Sequence, residues 1–215
     1  MKEWTVVTTD FQTIGMGQRG KHWESEEGMN LLMSVLVKPM HIEIQDQFVL
    51  SAAISVSIVE CLAELNIAAE VKWPNDILVN SRKICGILIQ NQWSNARCES
   101  SIVGVGLNVN QVGFSEYSWP ATSIALELGE AVSIAAVRDS ILNSFRENLL
   151  HTERYKQEII DRYNNQLYRL NSIVQFSHNE KIIEGKVLKV KSDGAINLEV
   201  NNQIKTYVNG EVRLT

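Results

Sequence analysis

Three segments of the chain carry the side chains whose types and spacing could do chemistry. The first is a glycine-rich loop, QTIGMGQRGKHW, at residues 12–23. Its cations, Arg19 and Lys21, and its amides, Gln12 and Gln18, could wrap an anion together with backbone N–H groups. The glycine spacing matches neither a dinucleotide-binding fingerprint nor a Walker loop, so a mobile surface turn is the competing interpretation.

The second segment is a predicted hairpin, KWPNDILVNSRKICGILIQ, at residues 72–90. A proline-containing turn precedes Asp76, and Gly86 interrupts the second strand, as happens where a ligand or another backbone comes close. Alternation places Lys83 on one strand face with three apolar residues, Cys85, Ile87 and Ile89. We therefore expect Lys83 at the edge of an apolar face, where its charge has more effect than in water. Solvated surface charges are the alternative.

The third segment is a predicted strand, SIVGVGLNVN, at residues 101–110. Period-two alternation divides it into an apolar face and a second face, which carries Gly104, Gly106, Asn108 and Asn110. The apolar face belongs to a core. The second face predicts floor space for a ligand with two amides at its end, although close packing of a helix would also explain the glycines.

Composition limits the classes of protein to which the chain can belong. It has 215 residues, 45% hydrophobic and 21% charged, as in an ordinary globular protein with one sizeable domain and a small appendage. No apolar run predicts a membrane span, and the N-terminus has no apolar signal region. The net charge of −5 argues against non-specific binding to nucleic acid. Three cysteines without metal-ligand spacing indicate reduced thiols in the cytosol.

The elements that must position these segments follow from hydrophobic periodicity. Strands are predicted over residues 4–10, 30–37, 70–73, 77–79, 83–90 and 98–110. A buried helix is predicted over 48–65, and a long amphipathic helix over 132–165 with a break near His151. After about Leu167, four or five short strands predict a small β-barrel or sandwich. The predicted domains are therefore residues 1–168 and 169–215.

The motifs together resemble those of the biotin protein ligases. That family has a glycine- and arginine-rich loop before an x-W pair, which here is GMGQRGKHW. Its K-W-P-N-D…K-x-x-G-I-L pattern is KWPNDILVNSRKICGIL, its G-I-G-x-N-V-N strand is GVGLNVN, and its A-T-S motif is ATSIALELG. The C-terminal segment ending NGEVRL is similar to the family's SH3-like domain. The resemblance covers nearly the whole chain, and the K-W-P-N-D run with Lys83 is its most specific part.

The resemblance implies an α+β fold. It consists of a mixed β-sheet with helices on one side, as in class II aminoacyl-tRNA synthetases and biotin ligases, plus a small C-terminal SH3-like β-barrel. The implied function is ATP-dependent biotin protein ligation. The enzyme would activate biotin to biotinyl-5′-AMP and transfer the biotin to a lysine of a carboxylase carrier domain. Biotin and ATP are the implied substrates, with Mg²⁺ bound only together with ATP and no metal site of the protein's own. Asp76 would either steer the Mg²⁺–ATP complex or hold the loop.

The resemblance also assigns roles to individual residues. The implied catalytic residues are Lys83 and Arg19. The residues implied to bind biotin and its adenylate are Gln12, Gly15, Met16, Gly17, Gln18, Trp23, Lys83 and Gly86. The residues implied to bind the nucleotide are Asn75, Asp76, Asn108 and Asn110.

The chain departs from the family pattern in two places. Met16 and Gln18 stand where the family commonly has arginines, so weaker retention of the intermediate is expected. A strand, a D-S-T-N-type motif and a helix usually precede the loop, and here the loop starts a dozen residues from Met1. The expected partner is the carrier domain, with no DNA and no membrane, in the cytoplasm, and a homodimer is a candidate assembly. Two alternatives stay open: a degenerate, non-catalytic biotin- or carrier-binding module, and a related lipoate-attachment enzyme.

Overall fold

The computed structural model describes residues 1–20, 22–115, 119–179 and 181–214. Its first sheet has six strands in the spatial order β1-β2-β6-β5-β4-β3. The strands are β1 (Thr5–Thr9), β2 (Leu31–Val37), β3 (Glu70–Lys72), β4 (Asp76–Val79), β5 (Arg82–Ser94) and β6 (Arg97–Leu107). Two-residue turns at Asn80–Ser81 and Asn95–Ala96 have positive φ at both positions, the hairpin geometry that follows the right-handed twist of paired strands.

Every pair of neighbouring strands in this sheet runs antiparallel, so the expectation of a mixed sheet is wrong. The reason is the connectivity, because β3 to β6 follow one another through turns too short for a parallel crossover. Parallel pairing among the described residues is limited to isolated bridges, such as that between Lys83 and Ala121.

Three helices accompany the strands: α1 (Phe48–Glu64), α2 (Ile124–Leu128) and α3 (Ile134–Asn165). The buried side chains of α1 and α3 join one cluster with the apolar face of β6. The stretch Ile44–Glu64 is long and apolar enough to cross a membrane, but most of it is buried inside the protein, which is the behaviour of a core helix. The predicted break near His151 lies four residues further on, at Tyr155, where non-helical backbone angles kink α3 between two helical stretches.

The second sheet has five antiparallel strands in the order β10-β9-β8-β7-β11. They are β7 (Ile173–His178), β8 (Lys181–Val190), β9 (Ile196–Val200), β10 (Gln203–Tyr207) and β11 (Val212–Leu214). This sheet docks against the rest of the chain, since the Trp73 indole N–H donates to the Gly194 carbonyl at 2.9 Å. Gly194 has φ of +88°, and a Cβ there would lie 2.8 Å from the Phe48 ring.

Candidate functional site

A pocket of about 580 Å³ lies on the glycine-bearing face of the first sheet, opposite the face that packs against α1. The glycine-rich loop and the end of the second sheet complete its walls. From the first sheet, its lining includes Ser34, Gly86, Leu88, Gly104 and Gly106. The volume is that of a typical small-molecule site.

A β-bulge brings Lys83 into this pocket. Ile77 pairs with Cys85 and Leu78 pairs with Lys83, so Ile84 has no partner on β4. One extra residue reverses the alternation, and Lys83 comes to the same face as Gly86. A Cβ on Gly86 would lie 3.4 Å from the Lys83 ammonium. The expectation that Lys83 shares a face with Cys85 is therefore wrong, because alternation does not continue through a bulge.

The Lys83 ammonium forms an ion pair with Asp76. Its Nζ lies 2.6 Å from Asp76 Oδ1, and both side chains are a little under one-third exposed. Cys85 points the other way, and burial raises the pKa of its thiol against the opposing effect of the Lys83 charge. The thiol stays protonated and is no nucleophile for the pocket.

The segment before α2 binds the Lys83 backbone on the side that does not face β4. The Lys83 N–H donates to the Pro120 carbonyl at 2.7 Å, and the Thr122 N–H donates to the Lys83 carbonyl at 2.9 Å. Asn108 is buried, and its side-chain amide donates to the Thr122 carbonyl at 2.9 Å. Asn108, Asp76 and Lys83 all line the pocket.

Trp23 covers part of the glycine floor. A Cβ on Gly106 would lie 2.5 Å from the indole, and a Cβ on Gly86 would lie 3.0 Å from it. Gly86 and Gly106 thus make room for the Trp23 indole. The sequence predicted either an open floor for a ligand or a packed helix over these glycines, and neither prediction included a tryptophan. The Lys83 ammonium lies 5.6 Å from the centroid of the Trp23 ring. The buried indole N–H has no hydrogen-bond partner within the described part of the chain.

The glycine-rich loop places five of its predicted binding residues in the pocket lining, Gln12, Met16, Gly17, Gln18 and Trp23. Gly15 lies behind the lining. Its carbonyl accepts a hydrogen bond from the Trp23 N–H at 3.0 Å, and a Cβ on it would lie 2.2 Å from the Trp23 carbonyl oxygen. Gly15 therefore acts by permitting close approach of the Trp23 backbone. Lys21 falls outside the described residues.

The second sheet also reaches the pocket, which motif reasoning missed. Asn209 and Arg213 line it, and Arg19 donates to Asn209 Oδ1 at 3.2 Å. Lys72, the first residue of the K-W-P-N-D run, lies with its ammonium 3.0 Å from the centroid of the Trp119 ring. The polar residues Asn209 and Arg213 of the NGEVR segment could have indicated a binding role. Only the fold shows that this segment lies beside the glycine-rich loop.

Asn75 and Asn110 have different places relative to the pocket. Asn75 lines it, and its side-chain amide donates to the Ile87 carbonyl at 2.9 Å. Asn110 donates to the Val132 carbonyl and accepts from the Val132 N–H, each at 2.9 Å. The structure therefore does not bring Asn110 to the pocket, because β6 ends at Leu107 and the alternation that would place it there ends too. Among the described residues, no group of three or more metal-ligating side chains could hold a metal ion.

These features define an α+β ligand-binding protein whose pocket joins a glycine floor, a tryptophan and a lysine paired with a carboxylate. The model of the biotin/lipoate A/B protein ligase family matches residues 1–108, half of the chain, and the chain belongs to this family. This match confirms the family resemblance that the sequence motifs indicated.

Two relatives and one solved structure are similar along the chain. The bifunctional ligase/repressor BirA of Bacillus subtilis is 31% identical over 99% of this chain, and the chain spans 66% of that protein's length. The biotin–[acetyl-CoA-carboxylase] ligase of Mycobacterium tuberculosis is 33% identical over 59% of this chain and 46% of its own. The biotin protein ligase from Aquifex aeolicus, in complex with biotin and ATP, has a TM-score of 0.85 and 28% identity. That match covers 100% of this chain and 90% of the other.

Proposed function

We propose that this protein is an ATP-dependent biotin protein ligase. It would join biotin and ATP into biotinyl-5′-AMP, release pyrophosphate, and pass the biotin to a lysine of a carboxylase carrier domain. The observation that carries the proposal is the Lys83–Asp76 ion pair beside Trp23 on the glycine floor. Membership of the family, the relative named as a biotin–[acetyl-CoA-carboxylase] ligase and the similar biotin protein ligase structure agree with it.

Lys83 supplies the charge that the first reaction needs. As the biotin carboxylate attacks the α-phosphorus, negative charge accumulates on the phosphate oxygens, and a fixed ammonium offsets it. Asp76 holds that ammonium at 2.6 Å, and the backbone contacts to Pro120 and Thr122 fix the strand behind it. A cation held this way is oriented before the reaction begins, which is where its catalytic value comes from.

The position of the Trp23 indole over the glycine floor divides the pocket into two sides, one for each substrate. One side contains the neutral lining residues Ser34, Leu88 and Gly104, which suit the mostly apolar biotin. The other side contains the ion pair, which suits the reacting carboxylate and α-phosphate. ATP enters as its Mg²⁺ complex, and Arg19 adds a second cation at the rim.

The remaining features of the proposal extend the expectations from the motifs. Residues 1–168 form the catalytic domain, and residues 169–215 form an SH3-like domain, which the five-stranded second sheet supports. The acceptor lysine belongs to another protein, so the pocket needs no nucleophile of its own. The reaction takes place in the cytoplasm, and dimerisation is a candidate form of assembly.

Biotin-dependent release of pyrophosphate from ATP tests the proposal directly. The purified protein should release pyrophosphate with biotin, and should label an added carrier domain that retains its acceptor lysine but not one that lacks it. Release with lipoate in place of biotin would favour the lipoate-attachment alternative. Binding of biotin without any release would favour the non-catalytic module, and either result would overturn the proposal.

A further inference from the structure

Glu127, on the short helix α2, forms a three-donor cluster outside the pocket. Its carboxylate accepts from the Thr122 hydroxyl at 2.5 Å, from the Arg82 guanidinium at 2.8 Å and from the Asn80 amide at 3.2 Å. Only 10% of the Glu127 side chain is exposed. Hydrogen bonds to a charged acceptor in such surroundings are stronger than those between neutral groups.

Each donor of this cluster is adjacent to the backbone that carries Lys83. Arg82 directly precedes Lys83, and Asn80 lies in the β4–β5 turn. Thr122, which is fully buried, binds the Lys83 carbonyl through its own N–H. Glu127 therefore joins the hairpin that carries Lys83 to the segment whose backbone binds Lys83.

The end of β6 makes this bracing necessary. Lys83 pairs with Leu78 of β4 on one side, but β6 ends at Leu107, opposite Cys85, and gives Lys83 no partner on the other side. The bonds of Lys83 to Pro120 and Thr122 replace the missing restraint, and Glu127 ties that segment to the hairpin. Glu127 does not line the pocket, so any effect on the reaction must pass through the Lys83 backbone.

We propose that Glu127 is a positioning residue that holds the Lys83 ammonium where the adenylation transition state needs it. This inference rests on the proposed function, since it assigns Glu127 a part in that same reaction. A displacement of about 1 Å in a positioned group costs up to roughly a hundredfold in rate. Loss of the carboxylate should thus act on turnover and leave the binding of biotin unchanged.

The test measures biotin-dependent pyrophosphate release by the full chain. Glu127→Ala should lower kcat by about tenfold to a hundredfold, with the KM for biotin within about twofold of wild type. Glu127→Gln keeps an oxygen that can accept from Thr122 and Arg82, and should retain kcat within about threefold of wild type. Glu130→Ala removes an equal charge from an exposed position nearby and serves as the matched control.

A double-mutant cycle separates positioning from general destabilisation. On a Lys83→Ala background, Glu127→Ala should cause no further loss in single-turnover adenylation, because the group it positions is gone. Equal losses on both backgrounds, or wild-type kcat in Glu127→Ala with a normal thermal unfolding midpoint, would overturn the inference. A wild-type protein that releases no pyrophosphate would instead overturn the proposed function.

Discussion

Replacement of Lys83 by alanine isolates the charge that the proposed reaction requires. A unit charge about 4 Å from a phosphate oxygen contributes about 4 kcal/mol at an effective dielectric constant near 20, which suits a partly exposed site. Each 1.36 kcal/mol is a factor of ten in rate, so the bare charge accounts for about 10³. The Asp76 carboxylate, 2.6 Å away, offsets part of this field. We expect Lys83→Ala to lower the adenylation rate by about 10²–10³.

The same substitution should change the folding stability very little. The ion pair is nearly one-third exposed on both sides, and such pairs contribute about 0.2–1 kcal/mol. The backbone bonds of residue 83 to Pro120 and Thr122 do not depend on its side chain. The free energy of unfolding should therefore remain within about 1 kcal/mol of wild type.

The assay is single-turnover formation of biotinyl-5′-AMP from labelled ATP, with urea unfolding measured on the same samples. Lys205→Ala, which removes an exposed lysine from β10, is the matched control and should react like wild type. If Lys83→Ala formed the adenylate at the wild-type rate, the electrostatic role of Lys83 would be refuted. A reduced rate with a large loss of stability would refute the separation between chemistry and fold.

Three further predictions concern the loop and one histidine. Tryptic cleavage after Arg19 should slow when biotin and ATP are both present, because a loop that closes over ligand becomes ordered; unchanged cleavage would contradict a lid. Gln18→Arg should slow dissociation of the biotinyl adenylate by about tenfold or more, since a charged hydrogen bond contributes about 1.5–3 kcal/mol; stopped-flow fluorescence measures it. Burial lowers the pKa of His41 and outweighs the opposing effect of the Glu153 charge. At acidic pH the unfolded chain therefore binds a proton at His41 more readily than the folded chain does. Stability should fall as pH drops below about 6.5, and less so in His41→Gln, in urea titrations.

The regular elements were predictable because their periodicity is uninterrupted. The helix predicted over 48–65 is α1 (Phe48–Glu64), and the strand predicted over 30–37 is β2 (Leu31–Val37). Both are long runs whose apolar residues face a core. The β4–β5 turn was predictable from Asn80–Ser81, since asparagine readily adopts positive φ.

The irregular features of the site were not predictable, because they arise from contacts between distant segments. The bulge at Ile84 changes the face of Lys83, and no property of the surrounding residue types signals it. Asn110 was expected in the pocket because strand alternation would place it on the same face as Gly106, but β6 ends at Leu107, before Asn110. The contact of Arg19 with Asn209 joins positions 190 residues apart, beyond the reach of any local pattern.

In the proposed reaction, the site separates two tasks between the paired strands and the glycine-rich loop. Lys83 and Asp76 lie on paired strands and are braced by backbone bonds, so the charge that we propose to stabilise the transition state is fixed. Met16 and Gln18 lie on the glycine-rich loop, at positions where the family commonly has arginines. The positive charge that they remove is therefore lost from the loop and not from the glycine floor. In a loop that closes over the ligand, loss of charge shortens the time that an anionic intermediate stays bound, because dissociation then requires the loop to open. Adenylation rate and adenylate retention should therefore vary independently, the first with Lys83 and the second with residue 18.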